Sequence, residues 1–215
     1  MSDLEIVALP NGQLSQNCYL LADRQSGEAV MVDPGEEPRL FLAELDTRGW
    51  ALRGIWLTHA HVDHIMGVAE VKAATGVPIH LHPADRGLYD ALPRQGEWMG
   101  LALAVPPPPE EELADGQRLQ VGGQEFTVRH TPGHSPGSVS FVGPACVLGG
   151  DVLFSGSVGR TDLPGGDFPA LMHSLQTVFM SLPDSTVVYS GHGPETTIGI
   201  ERMTNPFLTG AVRHE

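Results

Sequence analysis

The sequence predicts an α+β fold in which two β-sheets are flanked by helices. Short apolar runs rich in β-forming residues recur along the chain, and most of them end at Gly, Pro or Asp. Helical patterns lie between some of these runs, whereas other runs follow one another directly. This mixed order of strands and helices is typical of a domain built from two sheets and the helices that cover them.

The predicted elements follow in chain order. The strands are predicted over residues 4–9, 17–22, 29–33, 54–58, 78–82, 125–130, 138–142, 145–150 and 186–191. The helices are predicted over residues 38–48, 62–75, 83–92 and 168–180. In the last of these, Leu171, Leu175 and Phe179 recur every four residues, which places them on one helical face.

One domain spanning residues 1–215 is predicted, because a single α/β unit with one continuous core can reach the length of 215 residues. The low-complexity tract of prolines at 106–109, followed by glutamates at 110–112, is interpreted as a stiff surface crossing. A domain boundary there is disfavoured, since a domain beginning after the tract would lack half of the candidate metal ligands.

The composition excludes several classes of partner. Twelve Lys and Arg residues against 26 Asp and Glu give a formal charge of −14, which repels nucleic acids and anionic lipids. No apolar run reaches the ~18 residues of a membrane span. Asp3 and Glu5 replace the basic start of a secretory signal. Cys18 and Cys146 lie in apolar strand runs, where buried thiols are commoner than disulfides, so a cytoplasmic location is expected.

The densest chemical motif is HAHVDH, residues 59–64, which directly follows a predicted strand. It places His59, His61, Asp63 and His64 within six positions. In a regular helix the side chains of His59 and His61 would point about 200° apart. Joint use of these ligands therefore predicts an irregular turn after the strand, with a helix beginning near His64.

Further candidate ligands are His134, Asp151 and His192, each of which follows a predicted strand. Gly and Pro surround His134 and His192, and Gly149 and Gly150 precede Asp151. Such residues permit tight turns and close backbone approach. The three segments and the 59–64 motif are therefore expected to meet where strands end and loops converge.

Imidazole and carboxylate ligands without thiolate suit zinc, iron or manganese. These seven ligands exceed the four that a closed structural zinc site takes, so two adjacent metals with positions open for solvent are predicted. One metal is assigned to His59, His61 and His134. The other is assigned to Asp63, His64 and His192, with Asp151 as a bridge.

The ligand pattern resembles that of the metallo-β-lactamase fold superfamily at every position named above. The segments TPGHSPGS (131–138), GGDVLFSGSVGRTDLPGGD (149–167), SGHGPETTIG (190–199) and NPFL (205–208) resemble its glyoxalase II-like (hydroxyacylglutathione hydrolase) branch. The resemblance implies an αββα four-layer sandwich. It also implies a thioester hydrolase acting on S-D-lactoylglutathione-type substrates through a metal-bridging hydroxide, with two Zn²⁺ per chain and iron possible in one or both positions.

The roles of individual residues follow from the same resemblance. Asp151 bridges the metals, and Asp63 orients the attacking hydroxide, so both are expected to be catalytic. Longer glyoxalase II enzymes carry a C-terminal helical domain, whereas this chain resembles compact bacterial members in which the loop at 156–166 supplies more of the substrate contact. Arg160 in this loop is expected to face the glutathione moiety.

Two other enzymes share the ligand motif. A persulfide dioxygenase would use a single iron held by His59, His134 and Asp151, which form a triad of two histidines and a carboxylate. A lactonase ranks third, a β-lactamase is disfavoured by the missing export signal, and a non-catalytic protein is disfavoured because all the ligands are present. The remaining histidines are expected to be structural, namely His80, His82, His130, His173 and His214.

Overall fold

The computed structural model describes residues 3–212 and consists of two packed β-sheets with helices on their outer faces. The first sheet has the order β1-β2-β3-β4-β5-β6. Strands β1 to β3 are antiparallel, and β3 to β6 are parallel. Its strands are β1 (Leu4–Asn11), β2 (Gln16–Asp23), β3 (Glu28–Val32), β4 (Ala51–Trp56), β5 (Ile79–Leu81) and β6 (Glu111–Glu112).

The second sheet has the order β14-β13-β10-β9-β8-β7. Its neighbours are antiparallel except for the parallel pair β10 and β13. A small hairpin, β11 (Leu153–Phe154) and β12 (Ser157–Val158), lies between β10 and β13 in the chain. The sheet strands are β7 (Arg118–Val121), β8 (Gln124–His130), β9 (Val139–Gly143), β10 (Cys146–Gly150), β13 (Val187–Ser190) and β14 (Thr196–Thr197).

The helices complete the outer layers, and short 3₁₀ helices at Pro83–Asp85 and Phe179–Ser181 join them. None of the helices in residues 3–212 is long and apolar enough to cross a membrane. The α-helices are α1 (Pro38–Arg48), α2 (Val62–Ile65), α3 (Val68–Thr75), α4 (Arg86–Asp90), α5 (Leu92–Trp98), α6 (Phe168–Thr177) and α7 (Ile198–Thr204).

Three apolar clusters hold the layers together. Strand β2 contributes to two of them, because its alternate residues face opposite sides of the first sheet. Successive strand residues point to opposite faces of a sheet. Cys18 and Leu20 of β2 pack with Phe41 of α1 on the outer side, whereas Tyr19 and Leu21 pack against the second sheet. A third cluster lies between the second sheet and α6. The predicted α+β fold with an αββα four-layer sandwich is therefore confirmed.

The observed elements differ from the predicted ones in several places. All the predicted strands are present, but the short strands β6, β7, β11, β12 and β14 and the helix α7 were not predicted. The predicted helix at 62–75 is interrupted between α2 and α3, where Gly67 lies so close to the carbonyl oxygens of Pro34 and Gly35 that a Cβ would clash. The predicted helix at 83–92 is a 3₁₀ turn followed by α4, and α5 continues beyond it.

The proline tract at 106–109 has no regular structure and leads from α5 into β6, which pairs with β5. The Tyr89 hydroxyl donates a hydrogen bond to the carbonyl oxygen of Pro107 at 2.7 Å, which ties the tract to α4. This course supports the interpretation as a surface crossing. His214 lies outside the described residues.

The two cysteines are free and buried, as the sequence predicts. Burial raises the pKa of the Cys146 thiol to about 11, and burial also raises that of Cys18. Because the thiolate is the reactive form, we expect neither thiol to react with Ellman's reagent at pH 8 in the native protein. In denaturing guanidinium chloride two thiols per chain should react. Labelling of the native chain at the rate of the denatured one would contradict this burial.

Candidate metal centre

The HAHVDH motif adopts the irregular turn that its spacing predicts. Strand β4 ends at Trp56, and the backbone of His61 is extended (φ −75°, ψ 151°) immediately before α2 begins. His59 and His61 therefore lie in the turn, whereas Asp63 and His64 lie in the first helical turn. This change of conformation lets all four side chains face one region.

The candidate ligands converge in two groups. The potential ligand atoms of His59, His61 and His134 all lie within 4.8 Å of one another. Nδ1 of His61 is 2.8 Å from Nε2 of His134. The potential ligand atoms of Asp63, His64 and His192 form a second group, and they also lie within 4.8 Å of one another. These are the two groups to which the sequence analysis assigned the two metals.

Asp151 lies between the two groups. Its Oδ2 atom is 3.5 Å from Nε2 of His134 in the first group and 3.5 Å from Nε2 of His192 in the second. Its Oδ1 atom is 3.4 Å from Nε2 of His64. A carboxylate in this place can contact two cations at once, as the bridging role requires.

Unpartnered buried atoms show that the site fits metal ions. In the described part of the chain, Nε2 of His59, His61 and His64 and Oδ1 of Asp151 are buried and make no hydrogen bond. Leaving a buried polar atom unpaired costs about 1–3 kcal/mol. Cations bound among them would satisfy these atoms together, which is the usual reason for such a cluster.

The electrostatics of the cluster also favour cations. Burial, assisted by the neighbouring imidazoles, lowers the pKa of His59, and it lowers that of His61 to about 3. Both rings are therefore neutral near pH 7 and available as ligands. Burial alone would raise the pKa of Asp151, but attraction to His64 and the other histidines outweighs burial and lowers it, so this carboxylate is ionised.

His134 and His192 are each oriented through their Nδ1 atoms. Nδ1 of His134 is 2.8 Å from the carbonyl oxygen of Arg160, and Nδ1 of His192 is 3.0 Å from that of Leu14. These contacts leave the Nε2 atoms facing the centre. Second partners of this kind fix the tautomer and ring position of metal-binding histidines.

Asp33, at the end of β3, orients the remaining part of the centre. Its Oδ2 atom is 2.9 Å from Nδ1 of His64 and accepts a hydrogen bond from the Thr58 hydroxyl at 2.5 Å. The same hydroxyl is 3.0 Å from Nδ1 of His59. Asp33 is also close enough to His59 and His64 to form a third possible ligand group. The sequence analysis did not identify it, although it follows a strand as the other ligands do.

Asp85 and Gln95, which were also missed, hold the backbone of the HAHVDH turn. Asp85 is fully buried and accepts hydrogen bonds from the Ala60 amide at 2.9 Å, the Ser135 hydroxyl at 2.7 Å and the Gly137 amide at 2.6 Å. Gln95 donates to the Ala60 carbonyl oxygen at 2.9 Å. Asp85 thereby joins the turn of His59 and His61 to that of His134.

Close backbone approach explains the glycine before His192. A Cβ at Gly191 would overlap Oδ1 of Asp151 and lie 2.7 Å from Cε1 of His64. Only glycine fits there, because the ligand loops pack directly against one another. The turn residues in these motifs therefore have a steric role at the centre.

The ligands open onto a cleft of about 740 Å³. His61, Asp63, His134, Asp151 and His192 line it. Its other walls are mostly apolar and include Leu14, Val62, Leu88, Ala91, Trp98, Met99, Phe154, Val158, Leu163 and Pro164. Such a cleft suits a small molecule with a sizeable apolar part.

Arg160 also lines this cleft, but its guanidinium already has a partner. It donates hydrogen bonds to Oδ1 and Oδ2 of Asp162 at 2.7 and 2.8 Å. The substrate contact of Arg160 therefore stays a prediction. The bidentate pair with Asp162 was not anticipated from the sequence.

The other histidines lie away from the centre. Among the residues that the structure describes, His80, His82, His130 and His173 belong to none of the groups of potential ligand atoms. The rings of His82 and His130 stack at 4.2 Å between centroids, and His173 is exposed on α6. Their placement fits the structural roles expected of them.

The comparison with protein families identifies one match, the metallo-beta-lactamase superfamily, over residues 11–192. A protein of Aquifex aeolicus is 41% identical, with 94% of this chain and 96% of the relative covered. "Hydroxyacylglutathione hydrolase GloC" of Haemophilus influenzae is 34% identical, with 95% and 98% covered. "Probable metallo-hydrolase YqgX" of Bacillus subtilis is 37% identical, with 94% and 96% covered.

The chain is also similar to several solved structures in both fold and sequence. "BLEG-1 B3 metallo-beta-lactamase" has a TM-score of 0.90 and 40% identity, covering 96% of this chain and 100% of that one. "TTHA1623 in a di-iron-bound form" has a TM-score of 0.86 and 45% identity over 94% and 100%. "ETHE1 from Myxococcus xanthus" has a TM-score of 0.80 and 28% identity over 96% and 85%.

The positioning role of Asp85 can be tested by Asp85→Asn. The amide keeps the shape of the side chain but cannot accept at both atoms, so at least one of its three buried donors loses its partner. We expect the free energy of unfolding, measured with urea in the presence of a chelator, to fall by about 1–3 kcal/mol. The control is Asp90→Asn, which removes an exposed pair with Arg86 and should change it by less than about 0.5 kcal/mol. Equal effects would refute the role.

Proposed function

The chain belongs to the metallo-beta-lactamase superfamily, and we propose that it is a metal-dependent hydrolase that cleaves glutathione thioesters of the S-D-lactoylglutathione type. The observation that carries this proposal is the pair of ligand groups joined by Asp151 at the base of a largely apolar cleft. The 34% identity with the Haemophilus influenzae hydroxyacylglutathione hydrolase supports the substrate class.

The residues present would hold two divalent cations, with zinc expected and iron possible in either position. His59, His61 and His134 would hold one, and the remaining ligands Asp63, His64 and His192 the other, with Asp151 shared. Such cations, when bound, make water acidic enough to attack near pH 7 and polarise a carbonyl group. The di-iron-bound relative supports two adjacent positions.

Asp63 and Asp151 supply the carboxylates that face the cleft. Burial alone would raise the pKa of Asp63, but attraction to His64 and a hydrogen bond with His192 lower it, so Asp63 is ionised. Its Oδ2 atom lies 3.1 Å from Nε2 of His192. An ionised carboxylate at this place accepts a hydrogen bond from the attacking water and orients it toward the thioester carbon.

The leaving group needs little help from the protein. A thiol has a pKa of about 8.5 and departs as the thiolate, so no protein acid is required at this step. A substrate that fills the cleft would displace water from its apolar walls, which would strengthen the interaction of the substrate with charged groups at the base. Besides the bound cations, hydrolysis would therefore need only water, the two carboxylates and the substrate.

Two other activities remain candidates because specific relatives favour them. The 40% identity with a protein named as a B3 metallo-beta-lactamase favours β-lactam hydrolysis. The similarity to ETHE1 supports the persulfide dioxygenase of the sequence analysis, for which His59, His134 and Asp151 would hold a single iron. The ligand groups do not separate the two activities, because both share the motif, but the segments GSVGRTDLPGG (156–166) and NPFL (205–208), which resemble the glyoxalase II-like branch, favour the hydrolase. A lactonase and a cytoplasmic location also stay proposals.

Metal content and a substrate panel will test the proposed function. We expect two divalent metal ions per chain by elemental analysis and hydrolysis of S-D-lactoylglutathione, lost on treatment with a chelator and restored by added metal. Penicillin, an acyl-homoserine lactone and glutathione persulfide with oxygen uptake complete the panel. One iron per chain with oxygen uptake and no thioester cleavage would assign the dioxygenase, and preferential β-lactam cleavage would assign the lactamase.

Single ligand substitutions test the centre directly. We expect His59→Ala and Asp151→Asn to lower kcat/KM for the thioester at least about a hundredfold and to lower the metal content, while circular dichroism shows a folded chain. His173→Ala, at an exposed histidine on α6, should keep the activity and metal content of the wild type. Full activity in either ligand variant would refute the assignment.

A further inference from the structure

The cleft contains two arginines whose guanidinium groups differ in availability. Arg160 is held by two hydrogen bonds to Asp162, and these two exposed side chains neutralise each other. Arg94 also lines the cleft and is exposed. In residues 3–212 its side chain takes part in no ion pair and no hydrogen bond. Arg94 is therefore the arginine in the cleft with its full charge and all its donors free.

The helix that carries Arg94 is fixed to the metal centre. Gln95, the next residue of α5, donates hydrogen bonds to the carbonyl oxygens of Ala60 at 2.9 Å and Leu88 at 2.8 Å, and accepts one from the Val62 amide at 3.1 Å. Ala60 and Val62 belong to the HAHVDH turn. The start of the Arg94 side chain is therefore held at a fixed distance from the ligands, although its end is free to move.

Trp98 extends the same surface of α5. Residues four apart in a helix lie on one face, so Trp98 lies beside Arg94, and both line the cleft. Trp98 is 63% exposed, and Leu14, which also lines the cleft, is 52% exposed. Both side chains therefore offer apolar surface that a ligand in the cleft can cover. The arrangement combines a free cation with apolar surface.

We propose that α5 is the substrate-recognition element of the cleft, in which Arg94 binds a carboxylate of the thiol half of the substrate and Trp98 packs against its chain. This inference rests on the proposed function and assigns recognition of the thiol half of its substrate to two named side chains of α5. A guanidinium binds a carboxylate through two parallel hydrogen bonds. Arg160 is the poorer partner, because it must first release Asp162 and leave that anion beside the substrate.

Kinetics with two thioesters test the inference. We compare S-D-lactoylglutathione, which has carboxylates in its thiol half, with S-lactoyl-N-acetylcysteamine, which has none. For Arg94→Gln we expect KM for the first to rise about tenfold, with kcat within about twofold, because one charge-assisted contact is lost. KM for the neutral thioester should not change. The control is Arg86→Gln, which removes the same charge from an exposed pair outside the cleft and should leave both substrates unaffected.

Two kinetic results would overturn the inference. In the first, Arg94→Gln changes both thioesters equally, which would indicate a structural effect. In the second, Arg160→Gln raises KM for S-D-lactoylglutathione more than Arg94→Gln does, which would assign the contact to Arg160. Trp98→Ala should raise KM for both thioesters, because the apolar chain is common to them, and an unchanged KM would refute the packing role.

A binding measurement separates this inference from the proposed function. S-hexylglutathione is a thioether that cannot be hydrolysed, and its binding to the metal-loaded protein is measured by calorimetry. We expect Arg94→Gln to weaken it about tenfold and Arg86→Gln to leave it unchanged. If the wild type binds it through Arg94 but cleaves no thioester, the proposed function fails and the recognition role stands. Equal affinity of the wild type and Arg94→Gln, or no binding by either, overturns the recognition role.

Discussion

The structure depends on one constraint, which is that seven candidate metal ligands from four separated segments are packed together with several of their polar atoms unpaired. Within the described residues the protein offers no hydrogen-bond partner to Nε2 of His59, His61 and His64. Unpaired buried groups oppose folding, so the surrounding structure has to fix the cluster, and bound cations would stabilise it further. The two sheets provide this fixation, because the ligand loops begin where rigid strands end.

Buried polar residues next to the candidate ligands hold the ligand loops in position through hydrogen bonds. Asp33 holds the strand end that precedes the motif and orients His64, and Asp85 connects the turn containing Ala60 to the one containing Ser135. Both are buried carboxylates whose oxygens accept several hydrogen bonds, which is the arrangement that makes a buried charge tolerable. Gly191 permits the final approach of the loops. The geometry of the centre is thus determined by contacts among segments far apart in sequence.

The difference between local sequence patterns and contacts made across the fold explains what the sequence alone could predict. The sequence indicated the candidate ligands because each is a metal-binding residue type near the end of an apolar strand, and because His134, Asp151 and His192 also have neighbouring Gly or Pro. Asp33 and Asp85 were missed because their roles arise from long-range contacts, although Asp33 follows a strand as the ligands do. The short strand β6 was missed for a similar reason, since its two residues are strand only through pairing with β5. Local pattern gave no sign that Asp162 would engage Arg160.

The candidate metal centre and the surface that would recognise the substrate are different parts of the same cleft. A pair of cations held by imidazoles and carboxylates activates water against thioesters, lactones and β-lactams alike, so the centre alone does not select a substrate. Selection falls to the parts of the cleft that are free to differ while the ligands stay fixed. Helix α5 is such a part, because Gln95 fixes it to the motif from one side while Arg94 and Trp98 line the cleft. We therefore expect a change at these two positions to alter what binds and to leave the ligand contacts in place.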